Sequence, residues 1–381
     1  MLSGLKILDM SRVLAGPHCA MLLGELGAEV LKVESPGGDD TRGWGPPYQN
    51  GESAYFIGAN RNKRSITLDL RQSKDLQTLR ELIPQYDAVV ENFKLGTLAR
   101  WGFDADWFAR HAPQTVHCSI TGFGPSGPRA ADPGYDFVMQ AECGLMAITG
   151  PLEGEPVKHG VAIVDTVTGL YAAISILGAL LARQRQGVTH RVSTSLFETG
   201  LSMLINVASN VLISGQDARR FGNGHPNIVP YRTFLTADQY IALAVGNDTQ
   251  FERLAILLGR EQWNADERFK TNSARVANRE RVDAEVQSVL LTRTADEWFD
   301  ALRAEGIPAG KVCTPQQALA HEQAIANNCV MRIDHPQTGS VPYVRIPIRV
   351  DGNPVHAHLA PPTLGEHNPP TLGEHNPRTA S

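Results

Sequence analysis

Residues 5–34 read LKILDMSRVLAGPHCAMLLGELGAEVLKVE, and they determine the architecture of the first half of the chain. Residues 5–10 and 29–34 have the composition of buried strands, and residues 18–27 between them have the apolar spacing of a helix. A strand, a helix and a second strand in this order predict a βαβ unit. The loop at residues 11–17 is not a GxGxxG sequence, so it does not indicate a nicotinamide dinucleotide site.

Strands and helices continue to alternate beyond this unit. The predicted elements are a strand at 65–70, a helix from about Ser73, a strand at 88–93, a helix from Gly96 and a strand at 115–121. This alternation predicts an α/β domain with a mostly parallel sheet. The apolar segment at 161–182 carries Asp165, Thr166 and Thr168, and we interpret it as a buried core helix rather than a membrane span. A strand at 190–195 and a long helix at 196–213 follow.

The composition changes at residues 214–230, SGQDARRFGNGHPNIVP, which indicates a hinge into a second unit. That unit begins with a hairpin-like pair of strands at 231–235 and 240–245, and charge-rich helices follow. Near the C-terminus PPTLGEHN occurs twice in tandem, at 361–368 and 369–376. We expect the last dozen residues to be disordered because nothing in the sequence would pack the second copy.

Bulk composition excludes several classes of function. The chain has 381 residues, with 35 Lys and Arg against 40 Asp and Glu, so it has no basic field that would indicate nucleic-acid binding. Its five cysteines are odd in number and contain no CxxC pair, which argues against a disulfide framework and a zinc site and favours a reducing cytoplasm. No signal peptide is indicated at the N-terminus, and no cluster has metal-ligand spacing.

Asp136 lies in the stretch PGYDFVMQ, residues 133–140. The Pro and Gly before it are typical of a turn and the apolar residues after it have helical spacing, so we expect Asp136 at or near a helix start. The local pattern favours a helix cap, whose hydrogen bonds contribute about 1 kcal/mol. A catalytic carboxylate is the alternative, and both roles are compatible because N–H groups at a helix start also stabilise developing negative charge.

Two glycine-rich loops are candidates for ligand contact. Residues 122–127, GFGPSG, match GxGxxG after a strand, but Pro125 prevents a helix from starting directly, so the dinucleotide interpretation fails and a flexible loop beside Asp136 remains. Residues 222–226, GNGHP, contain His225 at the hinge. This loop could close over a site and exclude water, although an exposed turn histidine explains the pattern as well.

Basic and polar residues recur in the loops that follow the early strands. They are Arg12, Lys32, residues 60–64, Arg71, residues 92–94 and Arg100. In a parallel sheet such loops line the crevice at the carboxyl ends of the strands. Each cation alone is typical of a solvated surface, but together they indicate a nucleotide or pantetheine-diphosphate ligand, with Phe93 as an apolar wall or a core residue.

A series of ordered motifs resembles the family III CoA-transferases, the group that contains formyl-CoA transferase and carnitine CoA-transferase. The motifs are SRVLAGP, LGAEVLKVE, GDDTRGWGPP, NRNKRSITLDL, VENFKLGTLARWGF, CSITGFGPSGP, GYDFVMQ, GLMAITG, GVAIVDTVTGLYA, NIVPY and LGEHN. The resemblance covers nearly the whole chain and implies that Asp136 is the catalytic aspartate. It also implies a CoA pocket formed by Val13, Leu14, Ala15, Leu68, Arg71, Asn92, Phe93, Lys94 and Arg100.

Within the family, the motifs are most similar to those of succinyl-CoA:glutarate CoA-transferases. This implies succinyl-CoA as donor and a short dicarboxylate such as glutarate or itaconate as acceptor. Leu14 stands where formyl-CoA transferase has glutamine, so oxalate and formate are not indicated as acceptors. A second departure from the family pattern is Ser35, which stands where some members have an arginine. We hypothesise that Arg12, Arg42 or His225 binds the distal carboxylate, and that Gly222, Gly224 and His225 form a lid.

Two alternatives stay open beside CoA transfer. The first is a 2-methylacyl-CoA racemase, to which the fold is similar and whose second acid has a counterpart in Asp165. The racemases have a histidine directly before the aspartate that aligns with Asp136, whereas this chain has Tyr135, so proton exchange would lack a partner. The second alternative is a CoA-thioester binding protein without catalysis, against which the intact GYD motif argues.

The resemblance also implies an overall organisation. We expect a Rossmann-like CoA-binding domain at 1–200, a smaller α+β domain at 216–325, and a segment at 326–381 that returns to the large domain. The family resemblance implies an interlocked homodimer in the cytoplasm. CoA thioesters and carboxylic acids are the expected substrates, without cofactor, metal, nucleic acid or membrane.

Overall fold

The computed structural model describes residues 1–369 and divides the chain into two compact units. The first unit consists of Met1–Leu145, His159–Ser209 and the residues from Ile325 onward. The second consists of Met146–Lys158 and Asn210–Ala324. The division made from the sequence did not assign residues 146–158 to the second unit. Most of the second PPTLGEHN copy, for which we expected disorder, lies outside the described residues.

The described residues contain fifteen strands and sixteen α-helices. The strands are β1 Lys6–Asp9, β2 Glu29–Glu34, β3 Tyr48–Gln49, β4 Glu52–Ser53, β5 Lys63–Thr67, β6 Ala88–Glu91, β7 Val116–Thr121, β8 Arg191–Ser195, β9 Tyr231–Leu235, β10 Tyr240–Ala244, β11 Ala309–Lys311, β12 Val330–His335, β13 Gly339–Val344, β14 Arg349–Val350 and β15 Asn353–Pro354. The helices are α1 Ala15–Glu25, α2 Ala54–Ala59, α3 Ser73–Leu82, α4 Thr97–Arg100, α5 Ala105–His111, α6 Asp136–Glu142, α7 Leu145–Ile148, α8 Ile163–Gln186, α9 Leu196–Ser202, α10 Ile205–Ser214, α11 Asp248–Leu257, α12 Asn272–Ala277, α13 Arg279–Leu290, α14 Ala295–Ala304, α15 Pro315–Leu319 and α16 Glu322–Ala326.

A parallel sheet of six strands forms the centre of the first unit, in the order β5-β2-β1-β6-β7-β8. Ile7 on β1 lies opposite Val30 on one side and Ala88 on the other. If these six strands are numbered along the chain the order is 3-2-1-4-5-6, the Rossmann order, which reverses between β1 and β6. The predicted βαβ unit and the α/β class are confirmed.

Alternate residues of these strands face two hydrophobic cores. Ile7 and Val90 belong to the core that contains α1 and α8, whereas Leu8 and Val89 belong to the core that contains α3 and α5. Burying each such side chain contributes about 1.5–3 kcal/mol. Both faces are therefore covered by helices, as parallel sheets require.

Helix α1 begins at Ala15, three residues before the predicted start at His18. Pro17 lies in its first turn, where a helix needs no N–H donor, so the proline is compatible with helix rather than loop. The single helix predicted at 196–213 is also wrong, because α9 and α10 meet at an angle of 74°. Ile205 has a φ of 41°, which a right-handed helix cannot continue through.

Helix α8 is the predicted core helix. It is long and apolar enough to span a membrane. Helices α9 and α10 would meet the same criteria of length and hydropathy only if the bent pair were counted as one span. However, α8 packs against α1, β7 and β8, and half of its most apolar window is buried inside the protein. The packing agrees with the interpretation of α8 as part of a protein core.

The second unit has an antiparallel sheet in the order β11-β10-β9, with helices α11–α14. The predicted hairpin is confirmed, since Tyr240 on β10 pairs with Leu235 on β9. Its own core contains Phe234, Phe251 and Trp298.

The C-terminal part of the first unit covers the edge strand β5. The backbone N–H of His367 donates to the Ser65 carbonyl at 2.9 Å, and the Asn368 side chain accepts from the Thr67 N–H at 2.8 Å. The first copy of PPTLGEHN therefore satisfies backbone groups that an edge strand would otherwise expose.

Candidate active site

Asp136 is the first residue of α6, and its side chain is largely buried. The turn before it is pressed against the loop after β7, because a Cβ on Gly134 would lie 2.5 Å from the Gly122 Cα. Only glycine permits this approach of two backbones. No helix occurs between β7 and α6, so the rejection of a dinucleotide-binding helix at GFGPSG is confirmed.

The Asp136 carboxylate is held by the start of another helix. Its Oδ1 accepts the backbone N–H of Val164 at 2.8 Å and that of Asp165 at 3.3 Å, both in the first turn of α8. The N-cap residue of α8, Ala162, makes no side-chain capping bond. Asp136 therefore caps α8, and the expectation that it would cap its own helix is wrong. The N–H groups at the α8 N-terminus stabilise negative charge on this carboxylate.

A third donor fixes the other carboxylate oxygen. The Gln140 Nε2 donates to Asp136 Oδ2 at 2.6 Å, and Gln140 Oε1 accepts the backbone N–H of His159 at 2.7 Å. Gln140 lies one helical turn after Asp136, so both side chains are on one face of α6. The sequence reasoning missed this residue, although its spacing of four from Asp136 was visible in GYDFVMQ.

A second carboxylate, Asp165, lies close to Asp136. Burial, and then the negative charge of Asp136, raises the pKa of Asp165 to about 7. Burial together with Asp165 and Asp136 also raises the pKa of Tyr55 to about 12. The site thus combines one carboxylate supplied with three hydrogen-bond donors and one whose protonated form is favoured near neutral pH.

A crevice of about 540 Å³ opens at the carboxyl ends of β1, β2, β5 and β6. The predicted ligand residues that line it are Arg12, Leu68, Arg71, Phe93 and Lys94, and Ser35 lines it as well. Asp39 also lies in its wall, where its side chain pairs with Lys32 at 3.0 Å. The crevice lies at the point where the strand order reverses, which is where α/β sheets bind ligands.

The other predicted CoA residues do not line this crevice. Val13, Leu14 and Ala15 form the transition into α1, and Ala15 is buried. The Arg100 side chain donates to the Thr97 hydroxyl. The Asn92 side chain accepts the Arg12 N–H at 2.9 Å and donates to the Arg12 carbonyl at 2.7 Å. Asn92 therefore joins the loop after β6 to the loop after β1.

Two buried lysines hold the loop after β1 and the first turn of α1 that follows it. Lys32 Nζ donates to the Ser11 carbonyl at 2.8 Å and Lys63 Nζ donates to the Pro17 carbonyl at 2.9 Å. Lys63 is also paired with the buried Asp9 at 2.8 Å. Burial acts to raise the pKa of Asp9, but the charges of Lys63 and Lys32 outweigh it and leave that pKa below its ordinary value. Hydrogen bonds from buried charged groups therefore hold the backbone of this segment in place.

Arg42 is not available as a free anion-binding group. Its guanidinium makes two hydrogen bonds to Glu34, at 2.9 and 2.7 Å, and a further one to Glu52 at 2.8 Å. It also lies 3.6 Å above the Phe56 ring. Its predicted role as a ligand of the acceptor carboxylate would require these pairs to open, and it stays a prediction. Arg12, by contrast, lines the crevice, and among the described residues its side chain pairs only with Asp40, through an exposed contact.

The predicted lid residues belong to the second unit. The His225 N–H donates to the Tyr231 carbonyl at 3.0 Å, and its Nδ1 accepts the Asn227 N–H at 3.1 Å. Burial and the charge of Arg279 lower the His225 pKa. Gly222 has a φ of 59°, and a Cβ on Gly224 would lie 3.0 Å from the Phe221 carbonyl oxygen. The lid role of this loop stays a prediction.

Within residues 1–369 no group of three or more His, Cys, Asp or Glu side chains could hold a metal ion. The first unit thus contains a buried, hydrogen-bonded carboxylate and a crevice suited to a nucleotide-like ligand. A carboxylate in such a place can act as a nucleophile. Fold and site together are those expected of an α/β enzyme that uses a carboxylate as nucleophile.

Comparison with known proteins identifies the family. The sequence model of CoA-transferase family III matches residues 2–368, and the chain belongs to this family. The chain is 39% identical over 371 residues to a succinyl-CoA:glutarate CoA-transferase of Mus musculus, covering 96% of this chain and 84% of the relative. It is 39% identical over 373 residues to a succinate–glutarate CoA-transferase of Agrobacterium fabrum, covering 96% and 93%. The resemblance stated from the sequence motifs is confirmed.

Solved structures agree with this assignment. A CAIB/BAIF family protein from Brucella suis has a TM-score of 0.84 and 44% identity, with 96% of each chain covered. A protein from Mycobacterium tuberculosis has a TM-score of 0.86 and 30% identity, with 96% of this chain and 98% of the other covered.

Proposed function

We propose that this chain transfers CoA from succinyl-CoA to glutarate or a related short dicarboxylic acid. The observation that carries the proposal is the Asp136 carboxylate, fixed by the N–H groups of Val164 and Asp165 and by Gln140. The acids are suggested by the relatives in mouse and Agrobacterium fabrum, whose names specify succinyl-CoA or succinate, and glutarate.

The first half-reaction moves CoA onto the enzyme. An oxygen of the Asp136 carboxylate attacks the thioester carbonyl of succinyl-CoA, and the C–S bond breaks to give a mixed anhydride and CoA thiolate. The thiolate then attacks the Asp136 carbonyl carbon. The bond from this carbon to the bridging oxygen breaks, which releases succinate and leaves an aspartyl-CoA thioester on Asp136.

The second half-reaction runs the same steps in reverse. The acceptor carboxylate attacks the Asp136 carbonyl carbon, thiolate leaves, and a new mixed anhydride forms. The thiolate attacks the acceptor acyl carbon, which gives the product thioester and restores the Asp136 carboxylate. All bonds broken are replaced by bonds formed, so no ATP and no oxidant are required.

The α8 N-terminus is suited to stabilise the intermediates of these steps. Each attack on the Asp136 carbonyl carbon places negative charge on one of its oxygens. Oδ1 already accepts two backbone N–H groups, at 2.8 and 3.3 Å, so it is the oxygen that can carry this charge. Donors fixed before the reaction lower the barrier because they need no reorganisation. Oδ2 is then the oxygen that attacks.

CoA is proposed to bind in the crevice at the carboxyl ends of the strands. Arg12, Arg71 and Lys94 supply positive charge for phosphates, and Phe93 supplies an apolar wall. We further propose that the glycine loop with His225 limits hydrolysis of the anhydride, that the enzyme is a cytoplasmic homodimer whose chains interlock, and that it needs no cofactor beyond its thioester substrates.

The test is mass spectrometry of the protein after incubation with succinyl-CoA without acceptor, followed by trapping with hydroxylamine or borohydride. We expect a covalent change confined to Asp136, and none in the Asp136→Ala variant. A panel of acceptor acids then identifies the product thioester. If no adduct forms and deuterium enters a 2-methylacyl-CoA instead, the proposal is overturned in favour of racemisation. An absence of any turnover would indicate a binding protein.

A further inference from the structure

The second unit contains a cavity of about 350 Å³ lined by three arginines, the two carboxylates Glu280 and Asp283, two aromatic rings and Leu152. We name the cavity the arginine pocket, after Arg219, Arg232 and Arg279 in its wall. Its volume is within the range of small-molecule sites. All of its lining residues belong to the second unit, and none of them lines the crevice.

Two of these guanidinium groups share one aromatic ring. The Cζ atoms of Arg219 and Arg279 lie 5.0 and 5.2 Å from the centroid of Phe221. Within the described part of the chain, neither of these arginines forms a salt bridge to a carboxylate. Burial lowers the pKa of Arg279, and the charges of Arg219 and Arg232 lower it as well, whereas the charge of Asp283 acts to raise it. An anion within reach of these arginines would be attracted to their positive charges.

The third arginine leaves a donor unused. Arg232 Nη1 pairs with Asp283 Oδ2 at 3.1 Å. The buried Arg232 Nε has no hydrogen-bond partner among the described residues, and neither has Asp283 Oδ1. Buried polar atoms without partners are rare, and at a cavity wall they indicate a bound group.

The remaining walls determine what kind of anion fits. Phe221, Phe234 and Leu152 give the pocket an apolar surface beside its guanidinium groups. Guanidinium groups match planar carboxylates in geometry and also lie flat against aromatic rings. We propose that the arginine pocket binds a small organic acid with an apolar or aromatic body and at least one carboxylate or phosphate group.

Arg279 connects this site to the predicted lid. Its Nη2 donates to the Pro226 carbonyl at 2.8 Å, and Gly224 also lines the pocket. An anion in the pocket therefore contacts the same side chain that fixes the loop of residues 222–226. A bound anion would therefore be a second group that holds the loop of residues 222–226, in addition to the hydrogen bond from Arg279.

The experiment is isothermal titration calorimetry of the full chain with phthalate, benzoate, neutral benzamide and inorganic phosphate at constant ionic strength. Comparison of phthalate with phosphate distinguishes carboxylate from phosphate recognition. Arg219→Gln is expected to weaken binding of the preferred anion at least about tenfold. Arg281→Gln is the matched control, because Arg281 is on α13 with Arg279 but pairs with Glu285 and does not line the pocket.

Arg219 makes no hydrogen bond to the rest of the described chain, so its replacement should leave the fold intact. Arg279→Gln provides a second measurement, with circular dichroism to verify folding. Repeating the titration with Asp136→Ala separates this site from catalysis, since binding should be unchanged whether or not CoA transfer is correct. Equal affinities in the Arg219→Gln and Arg281→Gln proteins, benzamide binding as tightly as benzoate, or no saturable binding of phthalate, benzoate or phosphate would overturn the proposal.

Discussion

At the scale of single residues, the Asp136 carboxylate combines a structural function with the chemical function proposed for it. It satisfies backbone donors of α8 that have no capping side chain of their own, and the same donors stabilise charge on the proposed nucleophile. Replacing Asp136 therefore removes a cap as well as a nucleophile. Residues that orient the carboxylate without reacting separate the two functions better.

Gln140 is such a positioning residue. Gln140→Met removes the donor to Asp136 Oδ2 while keeping an unbranched side chain of similar size. We expect kcat to fall at least about tenfold with little change in the KM for succinyl-CoA, because the carboxylate loses its orientation. Steady-state kinetics measure this. Gln186→Met, at the exposed end of α8, is the control and should retain full activity.

Asp165 predicts a pH dependence of stability. Its pKa is raised from 3.8 to about 7 in the folded protein, so its contribution to stability is complete below 3.8 and is lost as the pH rises through about 7. Asp165→Asn cannot ionise. The variant should therefore exceed the wild type in free energy of unfolding by a margin that grows on the order of 1.4 kcal/mol per pH unit between about 4 and 7.

Urea denaturation of both proteins at pH 5 and pH 8 measures this margin. When the two proteins are compared at the same pH, the contributions of all titrating groups that they share cancel from the difference in free energy of unfolding. A margin equal at both pH values would show that Asp165 titrates normally.

At the scale of elements, the contact between α1 and α8 sets the position of the donors for Asp136. A Cβ on Gly169 would lie 2.7 Å from the Ala15 carbonyl oxygen and 3.0 Å from His18 Nδ1. Gly169→Ala should therefore push the two helices apart, at a cost of about 1–3 kcal/mol in stability. Because α8 carries Val164 and Asp165, kcat should fall as well.

Gly178→Ala is the matched control in the same helix, since nothing lies within 4 Å of its Cβ. That substitution should raise stability by roughly 0.5–1 kcal/mol, because alanine favours the helix. Thermal unfolding and activity of both variants test the pair. A Gly169→Ala protein as stable and as active as the Gly178→Ala protein would contradict the predicted helix contact.

Local sequence patterns predicted elements well where hydrophobic period and turn residues agree. Strand β2 has the bounds read from EVLKVE, and the start of α3 was predicted at Ser73. The start of α1 was predicted too late because Gly16-Pro17 was assigned to the preceding loop. The break between α9 and α10 contains no proline or glycine that would have indicated it in the sequence.

The partners of Asp136 could not be predicted from local pattern. Val164 is 28 residues away and contributes a backbone N–H, which carries no side-chain signal. Likewise, Arg42 was predicted as a candidate ligand of the acceptor carboxylate, and no local pattern indicated that its guanidinium pairs with Glu34 and Glu52. Sequence motifs assigned the family, but tertiary contacts decided which charges are free.

At the scale of the whole molecule, the first unit is closed by residues from the far end of the chain. A chain ending at Ala360 would lose the contacts of Gly365, His367 and Asn368 with β5. We expect its melting midpoint to fall by at least about 5 °C and its tendency to aggregate to rise, because an edge strand is exposed. Differential scanning calorimetry and light scattering measure this.

A chain ending at Pro369 is the control, since it keeps the whole first copy of PPTLGEHN. Its melting midpoint should equal that of the full chain. If the protein ending at Ala360 melted at the same temperature as this control, the C-terminal cover of β5 would not contribute to stability.

The segment that covers β5 is also the last described part of the chain to be synthesised. The ribosome makes residues 210–324, which form most of the second unit, before it makes this segment. The backbone groups at the β5 edge of the first unit's sheet would therefore stay uncovered while more than a hundred further residues are translated. A nascent chain stalled in that interval would be a natural client for a chaperone that shields strand edges.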